Sequence, residues 1–307
     1  MKEHLIDKEK TDVIKGIAIL IVVLGHYARF MSSPIPIASH VPYFGAALFA
    51  FMSGYGTMLS YLDNKPKNWV KWSVGKLERV LFPFIFTNVI SLPLYEKGNL
   101  IKQIFLGIND DVMWYPIFIL GFYAAFEFSY GLLEKKGIIV LWGIVFFLYA
   151  IMVFEEISST YYTSILPLIV GVIIAKYEDM LRGSKRWLIL AASIVLIISI
   201  LISVKGVDIV KYAFTGLAGA MLSIIVFLMV QMTNSRLLLH ELLHAIGCYS
   251  YFAYLVHMKV FFVVDKRIGT ASIRSFILFI MCTLIITIIL QKMWEMMVKY
   301  FQKWIKG

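Results

Sequence analysis

Asp12–Phe30, DVIKGIAILIVVLGHYARF, is an apolar run long enough to cross a bilayer as a helix, with a lone cation near its start (Lys15) and an imidazole near its end (His26). Eleven positions separate the two. At about 1.5 Å per residue they lie roughly 16 Å apart along a helix axis, and eleven steps of about 100° bring them round to the same face. One face of a spanning helix thus carries a cation at one membrane boundary and an imidazole deeper in. That pair outlines a path through the bilayer, and the rest of the chain reads as its surround.

The composition places the whole chain in the same class. Of 307 residues 60% are hydrophobic and only 16% charged, with a mean hydropathy of +0.82. A soluble domain of this size has no interior large enough for that much apolar side chain, which indicates an all-α polytopic membrane protein. The first run exceeds a signal-peptide core and no small-residue cleavage site follows it, so a retained first span is expected. The net charge of +10 fits basic residues flanking apolar spans against anionic lipid headgroups. The bilayer is therefore the expected partner, and nucleic acid is not.

Apolar stretches of spanning length run at about 12–31, 43–62, 79–95, 113–132, 137–154, 161–177, 187–204, 210–231, 245–264 and 272–298, predicting about ten helices in one membrane domain over 1–307. No alternating ten-residue pattern suggests a barrel. With the N-terminus placed inside, Lys and Arg are more than twice as frequent on the inner side as on the outer. Both termini are accordingly expected in the cytoplasm of a cell with a cytoplasmic (inner) membrane. Lys15 then sits near the cytosol and His26 toward the outer leaflet.

Several other groups bear on chemistry. An ionisable side chain inside a span is costly enough to be read as functional. His257, in GCYSYFAYLVHMKVFF, lies at a depth comparable to His26. Histidine suits removal of a proton from an attacking hydroxyl, whereas Lys15 suits holding an anion or pairing with Asp12 three residues back. Glu127 ranks lower because the cytoplasmic end of its span is under two turns away. The segment DNKPKNWVKWSVGKLER between the second and third spans is the most basic, and Lys76 and Arg79, about one turn apart, suit a phosphate-bearing cytosolic ligand. The loop at 95–112, ending in Asn109, Asp110 and Asp111 before Trp114, reads as a spacer or as a lid over an outer polar substrate.

His240-Glu241-Leu242-Leu243-His244 matches the H-E-x-x-H pattern of zinc hydrolases. A catalytic zinc needs three protein ligands, and Asp265 is expected on the opposite side of the membrane. Cys248 and Cys282 show no metal-ligand spacing and no activating neighbour, and no disulfide is expected. No metal and no bound cofactor are expected. Gly-rich phosphate loops and G-x-S-x-G elbows are absent from the sequence.

Taken together, the short motifs form a familiar series. Lys15-Gly16-Ile17-Ala18 followed by Val22-Val23-Leu24-Gly25-His26 resembles the opening helix of the acyltransferase-3 family of membrane acyltransferases, in which a basic residue precedes a histidine with ten residues between. Phe49-Ala50-Phe51-Met52-Ser53-Gly54-Tyr55 is similar to the family's F-x-x-S-G-Y pattern. Lys76-Leu77-Glu78-Arg79 with Pro83 resembles its basic start to the third span. Met113-Trp114-Tyr115-Pro116 resembles the start of the fourth span in the sugar O-acetylase-like branch, and Gly247, Ser250, Tyr254, Leu255 and His257 match its late pattern.

The resemblance implies transfer of an acyl group, usually acetyl from cytosolic acetyl-CoA as co-substrate, to a hydroxyl of an extracytoplasmic glycan or lipid-linked sugar. It implies catalytic His26 and His257, donor contacts from Lys15, Lys76 and Arg79, and acceptor-binding or structural roles for Ser53, Tyr55, Trp114 and Tyr115. Lysine in place of the usual arginine at position 15 keeps the charge and loses the bidentate fork. The extracytoplasmic esterase-like domain attached in some relatives is not in the sequence, which leaves acceptor handling to the membrane domain or a partner. A transporter or flippase of a small solute or lipid-linked sugar is the alternative from another class, although no inverted repeat of Gly/Pro-broken spans supports it.

Overall fold

The computed structural model describes residues 4–31, 40–94, 100–105, 114–155, 157–181, 183–206, 208–233 and 238–306. Most of loop 95–112, with Asn109, Asp110 and Asp111, lies outside the described residues. Among these residues there is no strand. The α-helices are α1 (Lys8–Phe30), α2 (Val41–Asp63), α3 (Trp69–Ser91), α4 (Leu100–Phe105), α5 (Trp114–Leu132), α6 (Gly137–Phe154), α7 (Ser159–Lys176), α8 (Glu178–Leu181), α9 (Lys185–Lys205), α10 (Asp208–Met232), α11 (Leu238–Cys248), α12 (Ser250–Ile268) and α13 (Ile273–Lys306). This is an all-α polytopic membrane protein.

Helices fall on all ten stretches read from the sequence. Six of them (α1, α6, α7, α9, α10 and α13) are long and apolar enough to cross a membrane by length and composition, and α11 with α12, bent by 72°, meet that criterion as one broken span. The other three, α2, α3 and α5, are 23, 23 and 19 residues long. They carry the Ser, Tyr and charged residues that lower their apolarity, among them Ser53, Lys76, Arg79, Tyr115 and Glu127.

The arrangement turns a soluble bundle inside out. Of the apolar stretch in α9 only 11% is buried, and in α6 only 17%, against 50% in α1 and 56% in α7. The exposed side chains of α6 and α9 are large and apolar, for example Phe146, Phe147, Ile197 and Leu201. Such a surface is stable only against hydrocarbon, since lipid offers it nothing worse than its own kind. The polar side chains that would be costly there turn inward.

At the centre α2 packs against α1, α7 and α10. Lipid supplies no hydrophobic drive between helices, so close van der Waals contact carries the association. Gly54 of α2 lies against the Leu168 carbonyl of α7, and Gly171 of α7 lies reciprocally against the Phe51 carbonyl of α2, leaving no room for a Cβ at either. Below this crossing the buried Tyr55 hydroxyl donates to Glu178 Oε2 at 3.2 Å, and the other oxygen of Glu178 accepts from the Leu5 backbone N–H. Tyr55 is therefore a structural tie between α2, the N-terminal segment and the α7–α8 corner.

Polar ties also set the rotation of α1. Buried Tyr27 donates to the Thr270 carbonyl at 3.1 Å and sits among Phe261, Phe276 and Phe279. With Tyr27 held in this cluster, its neighbour His26 is aimed elsewhere, toward α12.

Candidate functional site

Among the cavities that the described residues enclose, two share Tyr254 in their walls. The first, about 430 Å³, is lined by Lys8, Asp12 and Lys15 from α1, Phe49 and Ser53 from α2, Arg79 and Val80 from α3, Tyr115, Ile119 and Tyr123 from α5, and Gly247, Cys248, Ser250, Tyr251 and Tyr254 of the α11–α12 elbow. The second, about 330 Å³, takes Val22, His26 and Arg29 from α1, Tyr43 from α2, Trp114 from α5, Thr163 from α7 and Lys211, Tyr212 and Thr215 from α10. Lys15 and His26 therefore face different chambers along the same side of α1, as their spacing requires.

The partition between the chambers is built at the start of α5. The first N–H groups of a helix have no partner within it. The Tyr115 N–H finds one in the hydroxyl of Tyr254, at 3.4 Å, and the Tyr115 hydroxyl lies 3.0 Å from Ser53 Oγ. The rings of Tyr115 and Tyr254 meet edge to face at 5.7 Å, and that of Tyr254 stands 5.8 Å from His257. Ser53 and Tyr115 thus belong to the Lys15 chamber, and Trp114 to the His26 chamber.

The histidines touch. His26 Nδ1 lies 2.9 Å from His257 Nε2, with the ring planes nearly parallel at 13°. His257 Nδ1 is 2.7 Å from the Tyr254 carbonyl and 3.2 Å from that of Ala253. A carbonyl oxygen only accepts, so His257 Nδ1 carries hydrogen and donates. With both rings neutral, His257 Nε2 is then an acceptor and His26 Nδ1–H donates to it. That leaves the lone pair of His26 on Nε2, which no described residue engages, at the wall of the second chamber. The pair is thus a chain of two donated hydrogen bonds ending on backbone, which orients one basic nitrogen.

Among the cations, Lys15 Nζ pairs with Asp12 Oδ1 at 3.1 Å. Arg79 lines the first chamber beside it, while Lys76 Nζ lies over the rings of Trp72 and Tyr123, at 4.9 and 5.0 Å. Lys76 is not among the lining residues. Lys259, deep in α12, donates to Asn88 Oδ1 at 2.6 Å and so joins α12 to α3. Glu127 accepts from the Ser73 hydroxyl at the α3–α5 contact.

A model of the acyltransferase-3 family, described as an acyltransferase domain, matches residues 9–292. The chain belongs to the acyltransferase-3 family. This acyltransferase-3 chain is a multi-pass membrane acyltransferase, and its two chambers and histidine pair lie within the matched region. No curated protein and no solved structure matches the chain.

Three residues that line the chambers of this acyltransferase-3 chain carry no assigned role in the sequence alone. Tyr254 stands about one turn before His257 and belongs to the late motif of Gly247, Ser250, Tyr254, Leu255 and His257, which was a readable signal. Arg29 stands three residues after His26 in the same way. Lys211 has no local signal, because only the packing of α10 against α2 and α7 brings it to the second chamber.

Proposed function

We propose that the chain moves an acyl group, acetyl in the simplest case, from cytosolic acyl-CoA to a hydroxyl of an extracytoplasmic polysaccharide or lipid-linked sugar. The observation that carries this reading is the meeting of the two chambers at Tyr254, with the free nitrogen of His26 on the second. A donor held by its phosphates on Lys8, Lys15 and Arg79 would send its thioester up the first chamber toward Tyr115 and Tyr254. The acceptor would enter the second chamber, whose wall combines hydroxyls (Ser158, Ser159, Thr160, Thr163, Thr215), the aromatic Trp114 and the cations Arg29 and Lys211. Hydroxyls and an indole suit a sugar, and the cations suit its phosphate or carboxylate.

In the step itself His26 Nε2 takes the proton of the acceptor hydroxyl as its oxygen attacks the thioester carbonyl. The tetrahedral intermediate collapses, the C–S bond breaks, and the leaving CoA thiolate recovers the proton from His26. Acceptor and acyl-CoA thus become acyl ester and CoA. His257 acts by holding His26 in the Nδ1–H tautomer and takes no proton itself. An intramembrane base flanked by apolar helices works where competing water is scarce.

The deciding experiment follows label from acetyl-CoA into glycan in membranes carrying wild type or His26→Ala. Label entering glycan with wild type and falling to background with His26→Ala supports the reading. Equal incorporation with both removes the histidine from the chemistry. Solute or lipid-linked sugar crossing the membrane without any acyl donor would favour a transporter instead.

A further inference from the structure

At the wall of the first chamber three different metal-binding groups converge from two helices. Asp12 Oδ2, His244 Nε2 and Cys248 Sγ lie 3.7 Å (His244 to Cys248), 3.8 Å (Cys248 to Asp12) and 3.9 Å (His244 to Asp12) from one another. Ligands held at about 2.0–2.3 Å around a tetrahedral ion stand about 3.3–3.6 Å apart. The triangle needs to contract by only a few tenths of an ångström to close on such an ion.

The same three groups fit a nucleophile–base–acid relay poorly. A relay uses the two nitrogens of the imidazole in opposite directions, one toward the nucleophile and one toward the carboxylate. Here Nε2 alone faces both Cys248 and Asp12, so the donors point at one spot rather than along a line. The remaining oxygen of Asp12 is committed to Lys15, which orients the carboxylate as outer partners of metal ligands do.

The helices that supply the ligands are packed without slack. Gly247 lies against the backbone of Asp12 and Gly16 against the carbonyl of Leu243, so α1 and α11 meet backbone to backbone. His244 and Cys248 stand one turn apart on the same face of α11. The H-E-x-x-H pattern is not what does this: buried His240 turns its Nδ1 toward Glu9, 3.3 Å away, and Glu241 is exposed.

We infer that Asp12, His244 and Cys248 form a three-ligand site for a divalent transition-metal ion, with Zn2+ favoured, at the α1–α11 crossing. Thiolate and imidazole select a borderline ion over Mg2+ or Ca2+, and one carboxylate completes a set that Zn2+ accepts with a fourth position open to water or ligand. Such an ion would brace α1, which carries His26, against the elbow leading to α12, which carries His257. It would also stand at the wall where Asp12 and Cys248 line the first chamber.

The test uses full-length protein purified in detergent, titrated with Co2+ and then with Zn2+. The expected result is one Co2+ per chain with a thiolate-to-cobalt charge-transfer band, displaced by Zn2+ and retained in Cys282→Ser. Cys248→Ala and His244→Ala should remove the band, and Asp12→Asn should weaken binding by about tenfold or more, as even outer partners of metal sites do. As a check that needs no ligand variant, Zn2+ should slow maleimide labelling of Cys248 in the Cys282→Ser protein. No band in wild type, a band surviving Cys248→Ala, or labelling indifferent to Zn2+ would each overturn the inference.

Discussion

His26 Nδ1 and His257 Nε2 lie 2.9 Å apart across the α1–α12 contact, and the direction of the hydrogen in that bond is set from behind by the Tyr254 carbonyl. The consequence is an asymmetric pair in which His26 presents a basic nitrogen and His257 presents none. His26→Ala should reduce acyl transfer by about 10²–10⁴-fold, the range of a lost general base. His257→Gln keeps an acceptor near His26 Nδ1 and should cost far less, about tenfold, as a loss of orientation. Initial rates of glycan acylation at matched protein levels check both, and equal losses would refute the division of roles.

Tyr254 is the shared wall of the two chambers and should couple them. Removing its ring with Tyr254→Ala should let water meet the donor thioester. Acyl-CoA hydrolysis without acceptor should rise while transfer to glycan falls. The ratio of free acid to acylated glycan measures this, and a ratio unchanged from wild type would show that the partition lies elsewhere.

Arg79 and Lys76 look equivalent in sequence but should separate in function. Arg79 lines the first chamber, and on the proposed function Arg79→Ala should raise the acyl-CoA KM by about ten- to a hundredfold, consistent with losing one charge-assisted hydrogen bond of about 1.5–3 kcal/mol. Lys76 lies over Trp72 and Tyr123. Lys76→Met should leave KM near wild type and lower thermal stability by about 1 kcal/mol, the scale of a cation–π contact. Donor saturation curves and melting in detergent read the two effects independently.

The α2–α7 crossing should not tolerate a methyl group. Gly171→Ala places a Cβ against the Phe51 carbonyl and should destabilise by about 1–3 kcal/mol, as overpacking does. Gly56, on the same α2, has nothing within reach of an added Cβ. Gly56→Ala should be neutral or slightly stabilising through helix propensity. Melting curves of the two variants form an internal pair, and similar shifts would mean that the crossing is not the tight element.

Much of this protein is legible in one dimension. The apolar stretches marked every helical segment of spanning length, because an unpaired backbone in hydrocarbon leaves the helix as the way for such a run to satisfy itself. The eleven-residue interval between Lys15 and His26 placed them on one face by helical geometry alone, and the motif series pointed to the family. What spacing could not decide was contact between segments far apart in the chain. His26 meets His257 across 231 positions, and Asp12 meets Cys248 across 236. Lys76 and Arg79 differ in outcome because three residues on a helix turn a side chain by about 60° from its neighbour's face, enough to send one into the chamber and the other onto an indole. Periodicity is a property of one helix and fixes which way each residue points relative to its own axis. Which partner it then meets is decided by how the helices are packed, here by glycines that bring two backbones together and by buried hydroxyls that set the rotation of each helix.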